Sequence, residues 1–168
     1  MKTLSAIIIC MLTMTAMHSQ RAVDKFINKH VKEDHTLTLS FPGWMFESTL
    51  KLAAKMDDEG EFADYAKLAE HVKNIRLFVI EENNQIPEDA VQKLIKTMVD
   101  KEGYDEYIRI RSKGTNVNLF AIENDDAMKR LVFFIDDDDT FVLIRFKLDL
   151  PYSVFETLNY KLNDKLRP

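Results

Sequence analysis

Cysteine is almost absent from this chain: the one example in 168 residues, Cys10, lies inside an apolar run near the start. Downstream of that run no disulfide can form and no thiolate can serve as nucleophile or metal ligand, so stability has to come from a packed core. Glycine is nearly as scarce, with four residues, and none of them builds a Gly-rich phosphate loop or the G-x-S-x-G elbow of a hydrolase. Ser40, Ser48, Ser112 and Ser153 have no evident base beside them. His30 and His35 are five residues apart, not the four of a zinc-binding helix, and His30 falls on an apolar stripe that suits a half-buried side chain. The run Asp136–Asp139 lacks the spaced ligands, mid-loop glycine and distal glutamate of a calcium loop. Successive hairpin turns also lie at opposite ends of a meander, so Glu123–Asp126 cannot easily join it. The expectation is a solvated turn, with no metal and no cofactor.

What is present begins with a leader. Lys2 followed by an apolar run from Leu4 to about Ala16, and then a short polar stretch to Gln20, has the three parts of an export signal. The run is too short to span a bilayer, which takes about 20 residues. Residues 1–20 therefore read as a signal peptide, which places the rest in the periplasm or outside the cell, with no transmembrane segment once the leader is removed. Cys10 follows three isoleucines, with the apolar run continuing beyond it, so it reads as filler and not as a lipidation site. Without Lys2 the remaining chain holds 22 basic and 28 acidic side chains, a net charge of −6, which argues against a general nucleic-acid or anionic-membrane binder. No repeat, low-complexity tract or linker divides residues 21–168, a length suited to a single domain.

Periodicity along that domain alternates between the helical and the extended kind. Ala22, Val23, Phe26, Ile27, His30 and Val31 predict a helix over about 22–33, and Leu37, Leu39 and Phe41 a strand ended by Pro42-Gly43. Helices are predicted over 44–56 and 61–73, a strand over 74–80, and a further helix from Pro87 to a stop at Gly103. Four extended runs follow, at about 105–112, 116–122, 128–135 and 140–148. Pro151 then opens a last helix carrying Tyr152, Phe155, Leu158 and Leu162. The fold class is α+β: two layers, with helices packed on one face of a mixed sheet whose C-terminal half is a four-stranded antiparallel meander.

Because side chains alternate along a strand, joining those four runs by simple hairpins sorts them into two faces. Ile108, Ile110, Val117, Leu119, Leu131, Phe133, Val142, Ile144 and Phe146 share the first, which is the expected core under the helices. The second is mixed: Tyr107, Arg109, Arg111, Asn118, Phe120, Arg130, Val132, Phe134, Phe141, Leu143, Arg145 and Lys147. There Arg130 and Arg145 are expected as direct cross-strand neighbours. An outer face whose arginines meet carboxylates would explain this set. So would a binding surface for an anionic or saccharide ligand, since guanidinium forks and exposed rings suit both. Arg109, Arg111, Phe120, Arg130, Phe141, Arg145 and Lys147 are its candidate contact residues.

Several stretches carry a resemblance. They are Gly-Tyr-Asp-Glu-Tyr-Ile-Arg-Ile-Arg at 103–111, Asn-Val-Asn-Leu-Phe-Ala-Ile-Glu at 116–123, Met-Lys-Arg-Leu-Val-Phe-Phe-Ile-Asp-Asp-Asp-Asp-Thr-Phe-Val-Leu-Ile at 128–144, and Leu-Asp-Leu at 148–150. With the leader and the Phe26-x-x-Lys29 helix upstream, the chain resembles a family of small exported Bacteroidota proteins grouped as a domain of unknown function, DUF4252. Relatives place a glycine after the final strand where this chain has Lys147-Leu148-Asp149, and some carry a lipobox cysteine that it lacks. The resemblance implies a cell-envelope setting, with a link to envelope stress or signalling, and supplies no activity. The functional expectation is an exported, non-enzymatic binding or accessory protein, with an envelope protein or an anionic or saccharide ligand as partner. The alternative is a hydrolase or glycan-modifying enzyme that uses loop carboxylates such as Glu81-Glu82, Asp57-Asp58 and Asp136–Asp139.

Overall fold

Proline and glycine set the boundaries of the longest helix. Pro87 precedes its first turn, and Gly103 ends it in the left-handed conformation, φ 72°, where a residue without Cβ pays no steric cost. The computed structural model describes residues 21–57, 61–82 and 84–154. In chain order they form α1 (Arg21–His30), β1 (Thr36–Pro42), α2 (Gly43–Met56), α3 (Glu61–Ala69) and β2 (Val72–Ile80). After these come α4 (Glu88–Glu102), β3 (Asp105–Ser112), β4 (Thr115–Asn124), β5 (Ala127–Asp136) and β6 (Phe141–Pro151). The leader at 1–20 and the residues Phe155, Leu158 and Leu162 of the expected last helix lie outside the described residues. Tyr152–Val154 are helical, as expected after Pro151. Among the described residues no helix is long and apolar enough to cross a membrane.

The six strands form a single open sheet in the order β1-β2-β6-β5-β4-β3. β3 to β6 make the expected four-stranded meander, turned first by Lys113-Gly114, both at positive φ as a two-residue hairpin needs. Every pairing is antiparallel, where a mixed sheet was expected. Helix count explains the difference. Two helices separate β1 from β2, so the chain returns to the end of the sheet it left and β2 must run back along β1. The strand β2 also starts earlier than predicted: Val72 pairs with Leu148 instead of ending α3.

The two sheet faces have the membership that alternation gives, but the main helical layer lies on the other one. α1 and α4 pack against Phe78, Phe120, Val132, Phe134, Phe141 and Leu143, all completely buried. Phe134 stacks on both Phe120 and Phe141, and Phe26 of α1 closes the cluster against Phe78 and Phe141. Of the expected core face, Ile108, Ile110, Val117, Leu119, Leu131, Phe133, Val142, Ile144 and Phe146, no residue is buried. Rings decide the outcome, since a Phe side chain buries more apolar area than a branched aliphatic one and dominates core energetics. α2 and α3 pack on each other and reach the expected core face at one end, against β1 and β2 and toward Leu131 of β5 and Phe146 of β6. Gly43 fixes that junction: a Cβ there would come 1.7 Å from the Val72 carbonyl oxygen.

Candidate functional site

The proposed arginine and aromatic surface is dismantled by this layering. Phe120 and Phe141 are fully buried and Arg145 is 5% exposed, beneath α1. Asp24 of α1 accepts hydrogen bonds from Arg145 Nη1 at 2.5 Å and Arg76 Nη1 at 2.6 Å. Arg76 and Arg145 are cross-strand neighbours, so one carboxylate bridges a like-charge pair and offsets part of its repulsion. Arg130, expected opposite Arg145, lies opposite Lys147, because the hairpin closes with Asp136 opposite Phe141 and Ile135 opposite Val142, which shifts the whole ladder by two residues. Arg109 and Arg111 stay exposed on the edge strand β3, where Arg109 bonds Glu106. The seven residues do not converge on one open surface.

The opposite face is continuous, and among the described residues no helix covers it beyond its α2–α3 end. Its first cross-strand row reads Ile110, Val117, Ile135, Val142, Val79 and Leu37 from one edge of the sheet to the other. The second reads Ile108, Leu119, Phe133, Ile144, Leu77 and Leu39, in register across the same six strands. Not one of these twelve side chains is charged or polar, and not one is buried. At the edges Ile110 is 55% exposed, Leu37 49%, Ile108 42% and Leu39 36%. A third row, Ala121, Leu131, Phe146, Ile75 and Phe41, runs toward the α2–α3 pair.

Where that third row meets α2 and α3, Phe46, Leu50, Leu68, Leu131, Phe146 and Leu148 line a cleft of about 290 Å³. His71 borders it, with Nδ1 3.0 Å from the Asp149 carbonyl oxygen. The floor is a compact cluster of Met128, Leu148 and Leu150, and Val154 packs against it. Beyond the floor, Asp149 holds three strands together through Lys129 of β5 and Lys73 of β2, and these hydrogen bonds push its carboxyl down to about 2. Tyr107 of β3 and Tyr152 both donate to Glu123 of β4, and that bond pushes each phenol up to about 12.

The catalytic alternative gathers little here. The Asp136 carboxyl has a raised pKa, through burial first, and Asn84 donates to it at 2.9 Å. The recess it shares with Glu88, Arg109 and Arg111 measures about 10 Å³, enough for roughly one water. Asp137 is occupied in accepting the amides of Asp139 and Thr140, which shapes the hairpin turn.

Alternation supplied the contents of the open face, but its exposure was missed. Two signals in the sequence pointed that way. The rings on the mixed face match the apolar stripes of α1 and α4, and Asp24 sits in α1 as a ready partner for a buried arginine.

The family model described as a domain of unknown function, DUF4252, matches residues 30–154, from the end of α1 to the last described residue. No curated protein matches, and no solved structure does.

Proposed function

The chain belongs to the DUF4252 family, and we propose that it is an exported, non-enzymatic binding protein of the bacterial cell envelope whose open sheet face holds an amphipathic helix. The observation that carries this reading is the pair of six-residue apolar rows, unburied from edge to edge. Contiguous apolar patches of this extent are rare on monomeric proteins and mark contact surfaces. A sheet apolar on both faces needs a layer on each. A helix supplies such a layer naturally, through an apolar stripe whose width matches one or two side-chain rows. Export rests on the leader-like residues 1–20. An anionic or saccharide ligand would find no cationic partner within the two rows.

A labelled amphipathic peptide of leucine and lysine, titrated into the mature chain and followed by anisotropy, tests the proposal. Ile108→Lys with Ile110→Lys places two charges on the exposed rim of the face, at an edge strand that tolerates lysine. Binding weakened about tenfold or more, equivalent to about 1.4 kcal/mol, is the expected result. Equal binding by a folded double variant would remove the face from the function.

A further inference from the structure

We infer that β3, the exposed edge strand of the sheet, is a self-association surface that pairs antiparallel with β3 of a second copy of this chain. The inference concerns the edge of the sheet and does not depend on what the open face holds.

β3 stands at the end of the strand order, so one side of its backbone has no partner among the described residues. All eight of its residues are exposed. A long exposed edge is a template for another strand, and proteins normally guard it with charge, proline or a bulge. Here the charges are sorted by sign, with Asp105 and Glu106 at the start and Arg109 and Arg111 toward the end. A parallel neighbour of the same sequence would set like against like. An antiparallel one sets the acidic half of each strand beside the arginine half of the other, and opposite charges facing each other across a strand pair are favourable. The bulge between Glu106 and Ile108 divides the two halves, so the two-fold axis falls near Ile108.

The charges left over in one copy also match those left over in another. Within the strand Arg109 bonds Glu106. The side chains of Asp105 and Arg111 make no hydrogen bond or ion pair among the described residues, although Arg111 lines the recess that holds Glu88 and Asp136. One acid and one base per copy therefore remain for an antiparallel partner to meet. At the other edge β1 carries no charged side chain and ends at Pro42, which has no amide to donate. Pairing β1 with β3 would moreover be head-to-tail and would propagate, whereas β3 with β3 closes at two copies. A two-fold perpendicular to the sheet keeps both open faces on the same side, so the apolar rows continue from the six strands of one copy onto the six of the other.

Sedimentation of the full chain at about 100 μM tests the inference, a concentration suited to the weak affinity of a short interface. Wild type should be dimeric. Arg109→Glu with Arg111→Glu should weaken the dimer about tenfold or more, as should Asp105→Lys with Glu106→Lys. Mixed in equal amounts, the two variants should associate again, because the all-acidic strand of one meets the all-basic strand of the other. Lys96→Glu with Lys101→Glu on α4 changes the net charge as much as the arginine reversal does and should leave the dimer intact. A monomeric wild type overturns the inference. So does a dimer that survives both reversals, one lost equally in the α4 control, or a mixture that stays monomeric while both variants are folded.

A second measurement needs no charge reversal. In the full chain carrying Cys10→Ser, Ile108→Cys lies beside the two-fold axis and should form a disulfide between copies on mild oxidation, since its Cα atoms come within the limit of about 7 Å. Lys96→Cys on α4 is the control. Cross-linking at position 108 no faster than at position 96 overturns the inference whatever the charge variants do.

Discussion

The uncovered face of the sheet is the more uniformly apolar of the two, yet the mixed face is the one that forms the main core. The covered face concentrates phenylalanine at its centre, under α1 and α4, and accepts a buried charge because Asp24 is there to meet it. The open face is aliphatic in its first two rows apart from one ring, Phe133, carries no charge in them, and has none of its twelve side chains buried. Hydrophobicity alone therefore does not tell which side of a sheet is the core. Ring size, and the availability of partners for the polar groups in between, do.

The sharpest way to break that contrast is to truncate one residue on each side. Phe134→Ala should cost about 3–5 kcal/mol, since it removes a fully buried ring stacked on two others. Ile110→Ala, at 55% exposure, should cost under about 1 kcal/mol. Urea unfolding of both variants measures the difference, and equal losses would mean that the open face is as fully packed as the covered one.

Charge on the covered face gives the next largest effect. Asp24→Ala leaves the Arg145 guanidinium buried without its carboxylate, and Arg76 beside it as an uncompensated like charge. Breaking a buried pair by removing one partner typically costs 3–5 kcal/mol, but Asp24 itself is about one-third exposed, so about 2–3 kcal/mol is expected. Arg145→Met should recover part of that loss in the Asp24→Ala background, because a thioether needs no counter-charge. A double-mutant cycle in urea that showed simple additivity would mean the two residues do not act as a pair.

These two tests also mark how far the sequence could be read. Element order, the meander and the membership of each face were all legible, because alternation depends only on local geometry: the β3–β4 hairpin has the expected register, with Arg111 opposite Asn116, and the next two are off by two residues. Arg130 lies opposite Lys147 instead of Arg145, for example, a two-residue slip that leaves every side chain on its own face. Which face the helices choose is a tertiary question. Arginine was read as a sign of solvent, although Arg145 is buried with a partner 121 residues earlier in the chain, a separation no window of periodicity spans. The extra strands β1 and β2 widened the open face from four strands to six, and their placement beside β6 depended on the helix count between them.

Alkaline pH should next separate tyrosines held in different ways. Tyr104 is buried beneath the covered face's helical layer and its phenol is pushed up to about 12, mainly by desolvation. A raised phenol pKa favours the protonated, folded form, so stability should fall as pH rises above the unfolded value near 10 and continue falling toward 12. Tyr104→Phe should flatten that decline in urea midpoints measured between pH 9 and about 12. An unchanged slope would place the titrating group elsewhere, with Tyr107 and Tyr152 on Glu123 as the next candidates.

The smallest effect belongs to the ion triad behind the cleft floor. Asp149, about two-fifths exposed, is held at about 2 by hydrogen bonds from Lys129 and Lys73, against an ordinary 3.8. A depressed carboxyl contributes stability that is present above the unfolded pKa and disappears as protons are forced on, so this share should vanish between pH 3.8 and about 2. Asp149→Asn should shift the urea midpoint slightly at pH 7 and leave it unshifted near pH 2. Because the contacts are exposed, raising salt should shrink the pH 7 difference, since ions screen pairs of this kind. A difference that persisted at pH 2 would instead assign the role of Asp149 to its backbone: its amide donates to the His71 carbonyl at 2.8 Å, and its carbonyl oxygen lies 3.0 Å from the His71 ring nitrogen.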